Sequence, residues 1–413
     1  MLVNDEHFFR HEYANLVALL TRKMGVQHLE LVEDAVQSSL VKALDTWKTQ
    51  TPSNPSAWLY RVAYNALIDE LRKRQRIDFV DEINDIHDTE ISLSNDHHDR
   101  STLDDDFLHM LFVCCDEAIP EQYRLIISLK VLCGFNTKEI AQRLFLSEAN
   151  VYKSYQRARD VLRSQSAHFN LLPIEKSIQG LNSVLRVLYL LFTEGSLSNS
   201  PDYSIRIDLC EEAIRLLTLL SIKSVGDDPK VMALLALMSF NFARINARQS
   251  DSGSLLLLEE QDRSRWDLSY ISRGFEYLAQ SSQGESLSCY HLEAAISAEH
   301  CRSDTFEGTD WEKIYLYYQQ LEMLVPSYYY RLNRALALAE WQTPQAGLTL
   351  LSNLEPPTWM SRSYMWLAVS ADLHARCGLS KKAHELTQLA LKCTPNENIN
   401  TLISRRLSKP SEK

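Results

Sequence analysis

"NTKEIAQRLFLSEANVYKSYQRARDVLR" (residues 136–163) has the pattern of two helices joined by a tight corner at 145–147. Asn136 and Glu139 have the spacing of a capping box for the first helix, and Ser147 is placed to cap the second. Apolar residues recur at helical spacing on one side of the second helix, and its other sides are polar and cationic. The stretch therefore predicts a helix-turn-helix, whose second helix can enter the major groove of DNA.

The rest of the chain is predicted to be helical as well, which gives an all-α protein. The 413 residues suffice for two or three domains with their own cores, and long stretches are rich in Ala, Leu, Glu, Lys and Arg. No apolar stretch reaches the roughly 20 residues that span a bilayer, and acids interrupt residues 1–23, where a signal peptide would be apolar. We therefore expect a cytoplasmic protein without membrane contact.

The cysteines and the charges exclude other classes. Because the eight cysteines form no C-x-x-C pair, we expect reduced thiols, no metal site and no cofactor. The formal net charge of −11 is concentrated in residues 81–106, which hold ten acids against Arg100 alone. This segment has poor helical periodicity and is interpreted as a linker between two modules that each carry a basic patch.

The first module contains two helical patterns. Residues 32–47 form an amphipathic stripe, and residues 57–76 begin with aromatic side chains and end in a basic run. Aromatic rings beside cations suit single-stranded nucleic acid, because rings stack on unpaired bases and cations hold phosphates. Core packing of the rings and a favourable helix dipole explain the same residues slightly better when spacing alone is considered.

The order of the motifs carries a resemblance. "LVEDAVQSSLVKALDTW", "NPSAWLYRVAYNALIDELRKR", the acidic linker and then "IPEQYRLIISLKVLCGFNTKEIAQRLFLSEANVYKSYQRARDVLR" resemble a bacterial sigma factor of the extracytoplasmic-function (ECF) group. Later stretches, among them "VLYLLFTEGS" and "LNRALALAE", resemble the C-terminal extension of one ECF subgroup, which is described as tetratricopeptide (TPR)-like.

The resemblance implies a role for each segment. Residues 1–77 would form sigma region 2, 78–106 the linker, 107–165 region 4 and 173–405 the TPR-like domain. Region 2 would dock on the β′ clamp helices of core RNA polymerase and melt the promoter −10 element, and region 4 would contact the β flap and read the −35 element. The implied polymerase contacts are Asp34, Gln37 and Leu40; the −10 contacts are Ser53, Asn54, Pro55, Trp58, Tyr64, Asn65, Arg72 and Arg74; the −35 contacts are Glu148, Asn150, Lys153, Gln156, Arg157 and Arg159.

The C-terminal half shows one clear repeat unit and no catalytic motif. Ala383, Ala390 and Pro395 match the positions that close a TPR unit, whereas earlier segments fit the period poorly. The charge cluster of residues 259–267 surrounds Trp266, and residues 309–311 read Thr-Asp-Trp. Both are interpreted as helix caps and ion pairs beside a packed Trp rather than as acid–base chemistry, so we do not expect an enzyme.

Two functions remain after these exclusions. The first is a sigma factor whose C-terminal domain regulates its activity and offers a surface to a regulatory protein or ligand. The alternative is a stand-alone helix-turn-helix regulator with a TPR-like scaffold, which would not need the docking helix at 32–47.

Overall fold

The computed structural model describes residues 6–48, 51–75, 100–144, 146–170, 180–197, 205–251, 253–283, 287–353 and 355–408. Within these ranges the regular structure is helical, apart from one isolated β-bridge between Gln249 and Leu255. The prediction of an all-α protein is confirmed. The chain divides into two compact units, Met1–Leu191 with Lys223–Val225 and Phe192–Ile222 with Gly226–Lys413.

The first unit contains the helices of both predicted sigma modules. They are α1 (Glu6–Met24), α2 (Leu29–Thr46), α3 (Pro55–Gln75), α4 (Arg100–Cys115), α5 (Glu121–Val131), α6 (Thr137–Leu144), α7 (Glu148–Ser164), α8 (Ser166–Asn170) and most of α9 (Leu181–Ser196). Helices α1, α2 and α3 pack together, and α5, α6 and α7 form the helix-turn-helix with its supporting helix. The helix α4 packs on both α1 and α5.

The ends of α6 and α7 follow from their capping residues. The Asn136 side chain accepts a bond of 2.9 Å from the Glu139 backbone, and the Glu139 carboxylate accepts one of 2.7 Å from the Asn136 backbone. The Ser147 hydroxyl accepts from the backbone of Asn150 at 3.2 Å. Both predicted caps are confirmed. They satisfy amide groups that a helix start otherwise leaves unpaired.

Two observations bear on the predicted limits of the modules. The helix α4 begins at Arg100, so the end of the predicted linker is helical, and residues 76–99 lie outside the described part. Beyond residue 165, the start of α9 still packs on the first unit: Arg124 donates to the Ser183 hydroxyl at 3.3 Å, and Arg186 pairs with Glu121 at 3.3 Å. The compact unit therefore extends past the end predicted for region 4.

The second unit is a succession of paired helices. They are the end of α9, then α10 (Ile207–Ser221), α11 (Pro229–Ala243), α12 (Leu268–Ser281), α13 (Cys289–Arg302), α14 (Trp311–Leu324), α15 (Tyr328–Trp341), α16 (Pro344–Ser352), α17 (Thr358–Ser361), α18 (Tyr364–Arg376), α19 (Ser380–Lys392) and α20 (Glu397–Ser408). Sequential helices such as α14 with α15 and α18 with α19 pack side by side across short connections.

Small residues allow these pairs to approach closely. A Cβ atom at Gly347 would lie 2.5 Å from the Ala335 carbonyl oxygen, so α16 has no room for a side chain there. In α19 the two small residues predicted to close a repeat unit, Ala383 and Ala390, are both buried. This close packing is what small residues at a helix interface permit.

The charged clusters of this unit have structural roles. Asp262 caps the short helical turn that follows it, and Asp310 caps α14. The side chain of Trp266 is buried. The carboxylate of Glu260 pairs with Arg405 of α20 at 2.7 Å. The caps and ion pairs expected from the sequence are confirmed.

Candidate functional site

The outer face of α2 presents a mixed polar and apolar surface. Asp34 and Gln37 are exposed and Leu40 is half-buried, one turn apart on the helix. Val41 and Leu44 continue the surface with exposed fractions of 59% and 40%. Exposed apolar side chains next to polar ones are typical of a protein-binding surface. The sequence places Leu44 on the apolar stripe of this helix, where the structure leaves it partly exposed, and it did not single out Val41.

The loop before α3 is exposed and rigidly capped. Ser53 and Asn54 are exposed, and Pro55 is the first residue of the helix, where its fixed backbone angle is favourable. The Asn54 side-chain oxygen accepts from the Ala57 backbone at 3.1 Å, so this residue serves as the helix cap. These residues thus lie at a fixed and accessible corner of region 2.

The aromatic residues of α3 have partners inside the protein. Trp58 packs edge-on against Trp47 with ring centroids 5.5 Å apart. Tyr64 stacks on Tyr60 at 5.8 Å, and the Lys23 ammonium lies 4.8 Å from the centre of the Tyr64 ring. Trp58 and Tyr64, the two predicted base-stacking residues, are both half-buried. Each ring therefore packs inside the protein and still has part of its surface accessible to a base.

Of the polar residues on α3 that are predicted to bind the −10 element, two have side chains that the structure describes and one does not. Asn65 and Arg72 are exposed on α3. The side chain of Arg74 lies outside the described residues. The exposed group is therefore the loop at 53–55 together with Asn65 and Arg72.

The polar residues of α7 lie on two sides of the helix, one exposed to solvent and one facing α2. Its inner face buries Val151, Ala158 and Leu162, as the sequence predicts. Four of the predicted −35 contacts are exposed, and Tyr152, which the sequence did not single out, is exposed by 58% beside them. The exposed predicted residues are Glu148, Asn150, Lys153 and Arg157.

The other two predicted −35 contacts face region 2. The Arg159 guanidinium donates to the Glu30 carboxylate of α2 at 3.1 Å and to the Gln156 side chain at 2.6 Å. Arg159 is half-buried as a result, and so is Gln156. The structure therefore brings α7 against α2, so that part of the polar surface of α7 is covered.

A buried carboxylate lies at the centre of this contact. Glu33 of α2 is 5% exposed, accepts from the Tyr13 hydroxyl at 3.0 Å and from the Tyr155 hydroxyl of α7, and lies 3.8 Å from Arg159. We call Glu33, Tyr13, Tyr155 and Arg159 the Glu33 cluster. Burial raises the pKa of Glu33, although both tyrosine hydrogen bonds and the cations of Arg159 and Lys130 act in the opposite direction.

Further contacts hold the two modules together. Arg10 of α1 pairs with Glu139 of α6 at 3.4 Å. Arg22 donates to the His109 ring of α4 at 2.6 Å, and the Val26 backbone donates to the Asn170 side chain at 3.0 Å. In this structure regions 2 and 4 thus have a closed arrangement, which the sequence did not reveal.

The described residues give no sign of a metal centre or a membrane span. They contain no group of three or more His, Cys, Asp or Glu side chains placed to hold a metal ion. None of the described helices is both long enough and apolar enough to cross a bilayer. Burial raises the pKa of the Cys114 and Cys115 thiols, so both favour the protonated form.

Comparisons with known proteins match three segments of the chain. Residues 8–77 match sigma-70 region 2, residues 109–162 match sigma-70 region 4, and residues 180–282 match a family of unknown function, DUF6596. No solved structure matches the chain.

Two curated relatives add to these matches. A protein of Rhizobium meliloti described as uncharacterized is 34% identical over 349 residues, which cover 82% of each chain. A protein of Haemophilus influenzae described as "Probable RNA polymerase sigma factor" is 22% identical over 152 residues, covering 33% of this chain and 77% of the relative.

Proposed function

The chain belongs to the ECF-type sigma factors, as one with a C-terminal extension, and from this premise we propose which of its residues bind core RNA polymerase and the promoter elements. As a sigma factor it directs transcription initiation together with core RNA polymerase and promoter DNA. The alternative of a stand-alone regulator is not favoured, because residues 8–77 match region 2. Sigma families are non-catalytic regulators of transcription, and we propose a cytoplasmic protein accordingly.

The outer face of α2 is proposed as the surface that docks on the β′ clamp helices. Asp34, Gln37 and Leu40 supply its polar and central part, and Val41 and Leu44 supply exposed apolar area. Its support is the exposure of large apolar groups on a helix whose opposite side is fully packed. Contact with the β flap is proposed for region 4 by family likeness alone.

The exposed residues of α3 and its preceding loop are proposed to bind the −10 element. Ser53, Asn54 and Pro55 offer an accessible corner, and Asn65 and Arg72 lie along the helix. Trp58 and Tyr64 are proposed to act on unpaired bases, which requires them to exchange part of their present ring contacts for base stacking. Arg74 stays in the proposal through its place in the basic run of the sequence.

The exposed side of α7 is proposed to read the −35 element. Glu148, Asn150, Lys153 and Arg157 are accessible, and side chains of these types bind base edges and phosphates in the major groove. Gln156 and Arg159 join them only when α7 leaves the surface of region 2. We therefore propose that the DNA-binding form is an open one, in which the Glu33 cluster is separated.

The C-terminal unit is proposed to regulate this activity. Its support is the covalent joining of a helical repeat-like unit to the initiation modules, which gives any contact between them a high effective concentration. A chain ending after α9, at Ser196, keeps the contacts of Arg124 and Arg186 with α9 and is the appropriate truncation. Equal promoter-directed transcription by this chain and the full protein, under every growth condition, would exclude regulation.

Reconstitution with core polymerase tests the whole proposal. We expect Asp34→Asn to weaken binding to core polymerase, while Asp69→Asn, which changes an exposed carboxylate on α3, should leave it unchanged. We expect Lys153→Ala to weaken promoter binding, with Arg163→Ala as the matched cation control on the same helix. Failure of the wild-type chain to associate with core polymerase would refute the proposed surfaces.

A further inference from the structure

The short helix α8 is joined to the end of α7 without a free residue between them. The Gln165 amide donates to the Val161 carbonyl of α7 at 3.0 Å, and the Gln165 carbonyl accepts from the His168 amide of α8 at 3.0 Å. Hydrogen bonds thus fix the junction on both sides. We therefore expect α8 to move together with α7.

The same helix lies on region 2. It packs on α7 and on the turn Val26–His28, which joins α1 to α2. After α8 the described chain resumes at Gly180, where a Cβ atom would lie 3.4 Å from the Cys115 carbonyl oxygen of α4. The chain thus contacts region 2 at α8 and is back on region 4 when α9 begins.

No matched family accounts for α8. The match to region 4 ends at residue 162, and the match to DUF6596 begins at residue 180. The helix therefore belongs to the connection between the sigma modules and the C-terminal extension, and the roles of regions 2 and 4 do not explain its contact with region 2.

Phe169 anchors α8 to the protein. Its side chain is fully buried, whereas Ala167, His168 and Asn170 beside it are exposed. An isolated helix of five residues is not stable in water, because it forms too few backbone bonds to offset the cost of ordering them. The burial of the ring is therefore what holds α8 in place.

Polar contacts extend from α8 to both regions. The Asn170 side chain accepts from the Val26 amide at 3.0 Å and donates to the Gln27 side-chain oxygen at 3.2 Å. The His168 Nε2 atom lies 3.4 Å from the carboxylate of Asp116, which follows α4 in region 4. One short helix thus bridges the two regions, and it loses the region 2 contacts when α7 moves away.

Contacts that exist in only one form of a protein stabilise that form. The contacts of α8 with the turn before α2 exist only while region 4 lies on region 2. We propose that α8 is an autoinhibitory strap, which holds α7 against region 2 and must leave region 2 before region 4 reads DNA. This inference rests on the open DNA-binding form proposed above, and it adds the segment that controls opening.

Cross-linking of the full chain tests where the strap lies. Gln27 and Asn170 are both exposed and bonded to each other, so a Gln27→Cys/Asn170→Cys double variant should be linked by a short bis-methanethiosulfonate reagent. Peptide mass mapping identifies the link, and Gln27→Cys alone, treated in the same way, reports any reaction with the native cysteines.

Promoter binding by the linked chain tests inhibition. The probe is a DNA duplex that carries a promoter from which the reconstituted polymerase starts. Because the link removes the open form, the linked chain should bind this duplex at least about tenfold more weakly than the same chain after a thiol reductant has broken the link.

Asn170→Ala should change DNA binding in the opposite direction. It removes both side-chain bonds to region 2, and the loss should raise the affinity of the free chain for the promoter duplex about fivefold. The control is Gln165→Ala, which changes an exposed amide side chain at the start of the same segment and should bind DNA as the wild type does. A residue with a structural role alone would lower the thermal midpoint and leave DNA affinity unchanged.

Three results would overturn the strap. They are the absence of a link between positions 27 and 170 in the full chain, equal promoter affinity of the linked and the reduced chain, and equal promoter affinity of Asn170→Ala and the wild type. A failure of the proposed function gives a different result, because the wild-type chain then does not associate with core polymerase, whereas the link between positions 27 and 170 still forms.

Discussion

Replacing Tyr155 by Phe tests whether the Glu33 cluster holds regions 2 and 4 together. The Tyr155 ring is 4% exposed, so Phe fills the same space and removes only the hydroxyl that donates to Glu33. Leaving a buried acceptor short of one partner costs about 1–3 kcal/mol. Tyr13 continues to donate at 3.0 Å, so the cluster is weakened rather than abolished. The ratio of closed to open molecules should therefore fall roughly 5- to 150-fold.

Native-state hydrogen exchange of the full chain measures this change. The reporter is the Val26 amide, which donates to the Asn170 side chain across the contact between α8 and the turn before α2. We expect its protection to fall by the same factor in Tyr155→Phe, and promoter binding through α7 to increase. Tyr152→Phe is the matched control, because Tyr152 lies on the same helix with 58% of its surface exposed. Equal protection of Val26 in both variants would refute the reasoning.

Three further predictions concern pH, capping and packing. Burial raises the pKa of Glu33 above its ordinary value of 4.5. The stabilisation that the protonated Glu33 provides is therefore complete below pH 4.5 and is lost as the pH rises through the pKa of the folded state. Glu33→Gln should flatten this decline in the free energy of unfolding, and an unchanged slope of that free energy against pH would contradict the prediction. Asn136→Ala should cost about 0.5–2 kcal/mol in urea unfolding, because it removes the cap of α6. Gly347→Ala should lower the thermal midpoint, with a cost of about 1–3 kcal/mol, because its Cβ would meet the Ala335 carbonyl; an unaltered midpoint would show that α16 can shift.

Local features of this protein were predictable from its sequence. The caps at Asn136 and Ser147 involve residues three positions apart, so the chain near them contains all of the needed information. The buried face of α7 follows from helical spacing in the same way. These short-range rules are sufficient for the helices and for the helix-turn-helix.

The candidate site was less predictable where its contacts are long-range. Glu33 and Tyr155 are 122 positions apart, and nothing in the spacing of either helix pairs them. Arg159 belongs to a basic face that the sequence assigns wholly to DNA, yet its partner is Glu30 of α2. Sequence patterns identify a charged face, but the tertiary contacts decide what occupies it.

If the closed form must open before region 4 reads DNA, the binding of polymerase and of promoter DNA is linked to the equilibrium between the closed and open forms. The −10 and −35 elements lie roughly 50–70 Å apart, nearly two helical turns of DNA, whereas α7 here contacts α2 directly. A partner shifts an equilibrium only through a difference in its affinity for the two forms. Promoter DNA has such a difference, because phosphates reach Arg159 only after it leaves Glu30. Polymerase also binds the open form more tightly than the closed form if docking along Asp34 and Gln37 prevents region 4 from packing on region 2. Weakening the Glu33 cluster should therefore raise promoter affinity most for the free chain and least for the chain already bound to polymerase.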